Sequence, residues 1–173
     1  MTNSSNPMVA DFLHYNRWAN LHLIDACLGL APDQLASTAP GTYGSIYDTF
    51  VHLIRAEAGY YRRLSGVRLD PPFSWEAAPS LSEIRPYAEQ VSSALLDTAG
   101  QMQSTDTIER TWNEPEWDGQ PARYKAVSLL IQVLDHGVEH RTNITTILAQ
   151  QGLQTPDLAG WEFMRLNPDR MGA

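Results

Sequence analysis

Apolar residues recur at three- and four-residue intervals in four long stretches of the chain, which is the pattern of amphipathic α-helices. The first stretch runs from about residue 8 to residue 30, and Pro32 ends it. We expect its apolar stripe to face the core of the protein. The stripe consists of Phe12, Tyr15, Ala19, Leu23, Ala26 and Leu30.

The second predicted helix has a marked start and stop. Ser45 is predicted to be the N-cap, and Asp48 at the third helical position makes the arrangement resemble a capping box. The helical pattern then continues to about Leu64, and Gly66 is a natural C-terminal stop. Prolines between residues 70 and 79 mark a long connection after it.

A third helix is predicted to begin near Ser80 or Ser82, with Glu83 in its first turn. Pro86 falls about where the first turn ends, so the pattern predicts either a late start or a kink. The apolar positions continue to about Gly100, which either ends this helix or lies within it.

The pattern changes after the third helix. Residues 107–112 alternate in polarity and residues 117–120 carry a turn signal, so we predict a small hairpin there. The fourth long helix is predicted over about residues 123–151, with Gly152 as its stop. A short last helix is predicted over residues 158–164.

Four long helices joined by short and long connections predict an all-α fold, a helical bundle. The long connection over residues 65–80 allows a crossover, so we do not assume a simple up-down order. The chain has 173 residues, which is the size of one domain, and we expect a single bundle domain over residues 1–173.

Composition excludes several classes of function. The formal charge is −8, with 20 acidic and 12 basic residues, so we expect no nucleic-acid partner. Cys27 is the only cysteine, which excludes an internal disulfide and a cysteine-built zinc site. The polar N-terminus lacks the features of a secretory signal, and no apolar run is long enough to cross a membrane. The sequence therefore predicts a cytoplasmic protein.

The histidines carry the candidate chemistry. His136 and His140 are four residues apart on one helical face, which places their Cβ atoms about 6 Å apart. His52, on the second predicted helix, would complete a three-histidine metal site with an open coordination position, the layout of a catalytic site. The alternative for His52 is a buried structural histidine. His14 and His22 are about 12 Å apart along their helix, so we interpret them as surface or packing residues.

A second interpretation of the same helix is available. His136, Glu139 and His140 match the H-x-x-E-H pattern of inverted zinc peptidases, in which the glutamate is the general base. That site needs a further ligand, usually a downstream carboxylate, and the chain is far shorter than such peptidases. The downstream candidates are Asp157, Glu162 and Asp169. A solvated Glu139 is the favoured interpretation.

Three segments in order resemble the DinB/YfiT-like family of metalloenzymes. They are Tyr15-Asn-Arg-Trp-Ala-Asn20, residues 45–57 with Arg63-Leu-Ser-Gly66, and Leu134-Asp-His-Gly-Val-Glu-His-Arg-Thr-Asn-Ile144 with its exit over residues 148–157. The resemblance implies a four-helix bundle with crossover connections. It also implies a divalent metal, commonly zinc or nickel, held by His52, His136 and His140. Many relatives carry another histidine where this chain has Gln132.

The resemblance further implies a homodimer and a small-molecule substrate, for which low-molecular-weight thiols such as bacillithiol or mycothiol are the precedent. The first hypothesis is therefore a metal-dependent enzyme, either a hydrolase or a thiol S-transferase. The alternatives are a non-catalytic metal-binding or stress-response protein and a bundle with purely structural histidines. No catalytic residue is assigned. The carboxylates available to orient the imidazoles are Asp48, Glu57, Asp135 and Glu139.

Overall fold

The computed structural model describes residues 7–102, 106–111 and 121–170 and is mostly helical. The long helices are α1 (Pro7–Cys27), α3 (Ile46–Ser65), α4 (Leu81–Gly100) and α5 (Ala126–Gln150), and the short ones are α2 (Pro32–Leu35) and α6 (Gly160–Leu166). Two antiparallel strands, β1 (Thr107–Thr111) and β2 (Pro121–Lys125), precede α5. Single 3₁₀ turns cover Trp75–Ala77 and Pro168–Arg170. None of the described helices combines the length and the apolar character needed to cross a membrane.

The four long helices form a closed ring. α1 packs against α4 and α5, and α3 packs against the same two helices. Consequently α1 and α3 lie at opposite corners of the bundle, and so do α4 and α5. Two of the three connections between successive long helices therefore cross the diagonal, which confirms the predicted all-α bundle with crossover connections.

The predicted N-cap of α3, Ser45, is confirmed, and α4 begins where the sequence predicted it. The Asp48 amide donates to Ser45 Oγ over 3.0 Å, and Ser45 Oγ donates in turn to an Asp48 carboxylate oxygen. Ser80 and Glu83 form a reciprocal capping box at the start of α4. α4 begins at Leu81, five residues before Pro86, so of the two alternatives at this proline the late start is wrong. Gly66 follows α3 with a φ of 79°, a left-handed conformation that favours glycine.

Other boundaries differ from the prediction. α1 ends at Cys27, and Pro32 begins the short helix α2, because proline is well suited to a first helical position. Residues 123–125 belong to β2 rather than to the last long helix, since β2 pairs with β1 in the predicted hairpin. The last helix begins at Gly160, two residues later than predicted. The predicted turn at residues 117–120 lies outside the described residues.

The buried interior is divided into three layers along the bundle axis. One apolar cluster contains the C-terminal half of α1, the N-terminal half of α3 and the C-terminal end of α5. A second cluster contains the opposite ends of the same helices. The buried side chains that carry an amide, carboxylate, imidazole or guanidinium group lie between these two clusters in sequence: Asn16, Asn20, Glu57, His136, His140 and Arg141. The buried ionisable and amide groups are therefore concentrated near the middle of the bundle, between the two apolar clusters.

Candidate metal centre

The structure brings the three predicted ligand histidines together. Nε2 of His52 on α3 lies 3.0 Å from Nε2 of His136 on α5, although 84 residues separate them. One ligand nitrogen from each of His52, His136 and His140 lies within 4.8 Å of the other two. Among the described residues, this is the one group of three or more potential ligands that close together.

The environment keeps all three imidazoles neutral at pH 7. Burial, reinforced by the neighbouring His140 and His52, lowers the pKa of His136 to about 4. Burial also lowers the pKa of His140, and burial together with the charge of Arg55 lowers that of His52. A neutral imidazole has a nitrogen lone pair, which is the form that binds a metal.

The geometry of these nitrogens fits one divalent ion. Two nitrogens that are each 2.0–2.1 Å from a tetrahedral zinc ion are about 3.3 Å apart. The 3.0 Å separation of the His52 and His136 nitrogens is close to this value. The Nδ1 atoms of His136 and His140 are buried and have no hydrogen-bond partner among the described residues. One nitrogen of each neutral imidazole can therefore offer its lone pair to a cation held between the three rings.

A tyrosine, and none of the four candidate carboxylates, contacts the outer nitrogen of His52. The hydroxyl of Tyr43 lies 3.0 Å from His52 Nδ1. The Tyr43 ring is stacked on His52 at a centroid distance of 4.3 Å and meets the His140 ring edge-on at 5.1 Å. Tyr43 precedes the N-cap of α3 in a loop, and nothing in the periodic pattern indicated it.

The candidate carboxylates have other positions. Asp48 is engaged in the cap of α3, and Glu57 accepts hydrogen bonds from two asparagines. Asp135 and Glu139 are exposed. Glu139 therefore matches the solvated interpretation, and the one close metal-ligand group of the described residues contains none of the downstream carboxylates that the peptidase pattern needs.

Gln132, His22 and Cys27 lie outside the three-histidine cluster. Gln132 donates its amide to the Tyr60 hydroxyl over 3.4 Å. His22 is exposed and stacked on Trp18, as expected of a surface residue. Cys27 is buried in the apolar core, and burial raises the pKa of its thiol to about 12, so the thiol stays protonated at neutral pH.

A buried polar network adjoins the histidines. The side-chain amides of Asn16 and Asn20 on α1 both donate to Glu57 Oε1 on α3, each over 2.7 Å. Arg141 on α5, the residue after His140, donates Nη1 to the carbonyl oxygens of both asparagines, over 2.7 and 2.6 Å. The network therefore connects α1 with both helices that supply the histidines, including α3 at the opposite corner of the bundle.

This network explains a glycine between the two histidines of α5. A Cβ atom at Gly137 would overlap Asn16 Oδ1 and would lie 2.7 Å from Arg141 Nη1. We expect Gly137→Ala to lower the free energy of unfolding by about 1–3 kcal/mol because the network must shift. Urea denaturation measures this change.

A matched control is Gly100→Ala at the end of α4, where an added Cβ meets nothing within 4 Å. Its stability should stay unchanged or rise by up to about 1 kcal/mol. If the two alanine variants unfold at the same urea concentration, the close approach at Gly137 has no energetic weight.

A cavity of about 500 Å³ lies beside Tyr43. Its walls are the loop over residues 40–43 and the face of α5 that carries Glu139, Thr142, Asn143 and Thr146. The wall residues are mostly polar and include one carboxylate, Glu139. This cavity offers space for a small polar molecule next to the aromatic residue that covers His52.

The sequence model of the DinB family matches residues 1–171, nearly the whole chain. No curated protein matches the chain. The matched range includes α1, α3 and α5, which together contain the three histidines and the polar network behind them.

Proposed function

The chain belongs to the DinB family, and we propose that it is a metal-binding member whose His52, His136 and His140 hold one divalent ion. The observation that carries this proposal is the convergence of three histidine nitrogens within 4.8 Å of one another. Zinc and nickel are the candidate ions, because the family resemblance implies them and imidazole ligands suit both.

We further propose that the site is catalytic. Three protein ligands leave a tetrahedral ion one open position, as in catalytic zinc sites. When bound, such an ion lowers the pKa of a water or a thiol that coordinates it, which makes either a nucleophile near neutral pH. The reaction is then hydrolysis or transfer of a low-molecular-weight thiol.

The residues around the proposed ion determine its charge and the space beside it. The three neutral imidazoles bring no charge of their own, so the ion keeps its full positive charge. Tyr43 covers His52 on one side and borders the cavity on the other. The cavity is lined by Tyr43 and by residues of α5 next to the histidines, so we propose it as the place where a small substrate first binds. The thiol as the specific substrate and the homodimer stay predictions.

The decisive experiment is metal analysis of purified protein after loading with zinc or nickel and removal of free ion. We expect about one ion per chain in the wild type and almost none in His136→Ala, since two remaining imidazoles bind an ion far more weakly. His22→Ala removes an exposed histidine outside the cluster and should retain the ion. Equal metal content in the wild type and His136→Ala would contradict the site.

Turnover separates the catalytic proposal from its alternative. We expect the loaded wild type, and not His136→Ala, to act on some member of a panel of ester, amide and thiol-transfer substrates. Metal binding without turnover across the panel would favour a non-catalytic metal-binding protein.

A further inference from the structure

His52 is the least buried of the three histidines. His136 and His140 lie on one helix, one turn apart, and are 8% and 3% exposed. His52 is the single ligand candidate on α3 and is only half-buried. The packing of the bundle interior alone therefore does not fix the orientation of the His52 ring, and a contact from outside the core is needed.

Tyr43 makes the contacts that fix this ring. Its hydroxyl lies within hydrogen-bond distance of Nδ1, and its ring stacks on the imidazole at an interplanar angle of 27°. The stacked contact limits tilting of the His52 ring, and the hydrogen bond limits its rotation. With Nδ1 engaged by Tyr43, Nε2 is the nitrogen that points at His136.

Tyr43 is in turn anchored to α5, the helix of the other two histidines. Its backbone amide donates to Asn143 Oδ1 over 2.9 Å. Asn143 is itself held, because its amide nitrogen donates to the backbone carbonyl of Glu139 over 2.7 Å. The tyrosine thus links a ligand on α3 to the helix that carries its two partners.

We infer that Tyr43 is a positioning residue of the metal centre, which accepts a hydrogen bond from His52 Nδ1–H and thereby presents Nε2 to the ion. Metal-binding histidines usually donate their second N–H to such a partner, which fixes the tautomer and the ring orientation. This inference rests on the proposed metal site, and its test separates the two.

The test compares the wild type, Tyr43→Phe and Tyr47→Phe. Tyr43→Phe keeps the stacked ring and removes only the hydroxyl. Tyr47→Phe is the matched control, because Tyr47 lies on the same helix as His52 and its hydroxyl donates to the Pro79 carbonyl instead. Cobalt(II) is the probe: competition with a chelator gives its affinity, and the visible d–d absorption reports the ligand geometry.

We expect Tyr43→Phe to bind cobalt about 10–100-fold more weakly than the wild type, which is the usual effect of losing such a partner. We also expect a changed d–d band in the cobalt-saturated variant, which a general loss of stability does not produce. Tyr47→Phe should match the wild type in both measurements.

Two outcomes overturn the inference while the metal site stands. One is a Tyr43→Phe variant with the affinity and band shape of the wild type. The other is a Tyr47→Phe variant that is impaired to the same degree. A wild type that binds no cobalt overturns the metal site itself, and the role of Tyr43 with it.

Discussion

Replacing Glu57 with alanine is expected to lower the free energy of unfolding by about 3–5 kcal/mol at pH 8, because it removes the negative charge nearest a buried guanidinium and the acceptor of two buried amides. Glu57 is 1% exposed and lies at the centre of the bundle. Two asparagine amides donate to its Oε1, and Arg141 donates to the carbonyl oxygens of those asparagines. Equilibrium urea denaturation measures the loss.

The size of this effect follows from what the substitution leaves behind. Burial raises the pKa of Glu57 to about 7, against the opposing effects of Asn16, Arg141 and Asn20, so at pH 8 the carboxylate is largely ionised. Alanine would leave the buried Arg141 guanidinium without its counter-charge and two asparagine amides without an acceptor. Each unpaired buried group adds its own desolvation cost.

The matched control is Glu89→Ala on α4. Glu89 is also ion-paired, with Arg17 and Arg85, but its side chain is 42% exposed. A partly solvated pair contributes about 0–1 kcal/mol, so this variant should stay near wild-type stability. If Glu57→Ala lost no more stability than Glu89→Ala, the buried network would have no structural weight.

The helices of the fold were predictable because their signals are local. Ser45 with Asp48 three residues later predicted the start of α3, and a serine near residue 80 with Glu83 in the first turn predicted that of α4; both starts are confirmed. The histidine triad was predictable for a different reason. The spacing of His136 and His140 fixes a shared helical face, and the family resemblance supplied His52.

The buried face of α1 was predicted less well. The apolar stripe included Phe12 and Ala26, which are exposed. A stripe that counts only apolar residues assigns Asn16 and Asn20 to solvent, although both are buried in the network with Glu57. The true face of α1 is therefore rotated from the predicted one, because its polar members have partners on distant helices.

Contacts between residues far apart in the chain also explain the two features that the sequence did not predict, the strand at residues 123–125 and the role of Tyr43. Residues 123–125 continue the helical pattern of α5, yet they pair with β1 and form a strand. Tyr43 lies in a loop, and its connection to α5 depends on Asn143, 100 residues away. A pattern within a single segment carries no information about such a contact.

Saturating zinc is expected to raise the melting temperature of the wild type by about 5–10 °C and to leave that of His140→Ala unchanged. An ion that binds only the folded chain stabilises it by about 2.7 kcal/mol at a hundredfold excess over its dissociation constant. For a chain of this size, 1 kcal/mol corresponds to about 2–4 °C. Differential scanning calorimetry with and without zinc measures the rise.

For each variant, the melting temperature with zinc is compared with that of the same variant without zinc. Any stability that His140→Ala loses because its side chain is missing from the core is therefore the same in both measurements and cancels. His22→Ala is the control, because it removes an exposed histidine from α1 and leaves the cluster complete. It should show the full wild-type rise. A rise of the same size in His140→Ala would mean that zinc stabilises the chain at another place, since the two remaining histidines cannot hold the ion with the affinity of three.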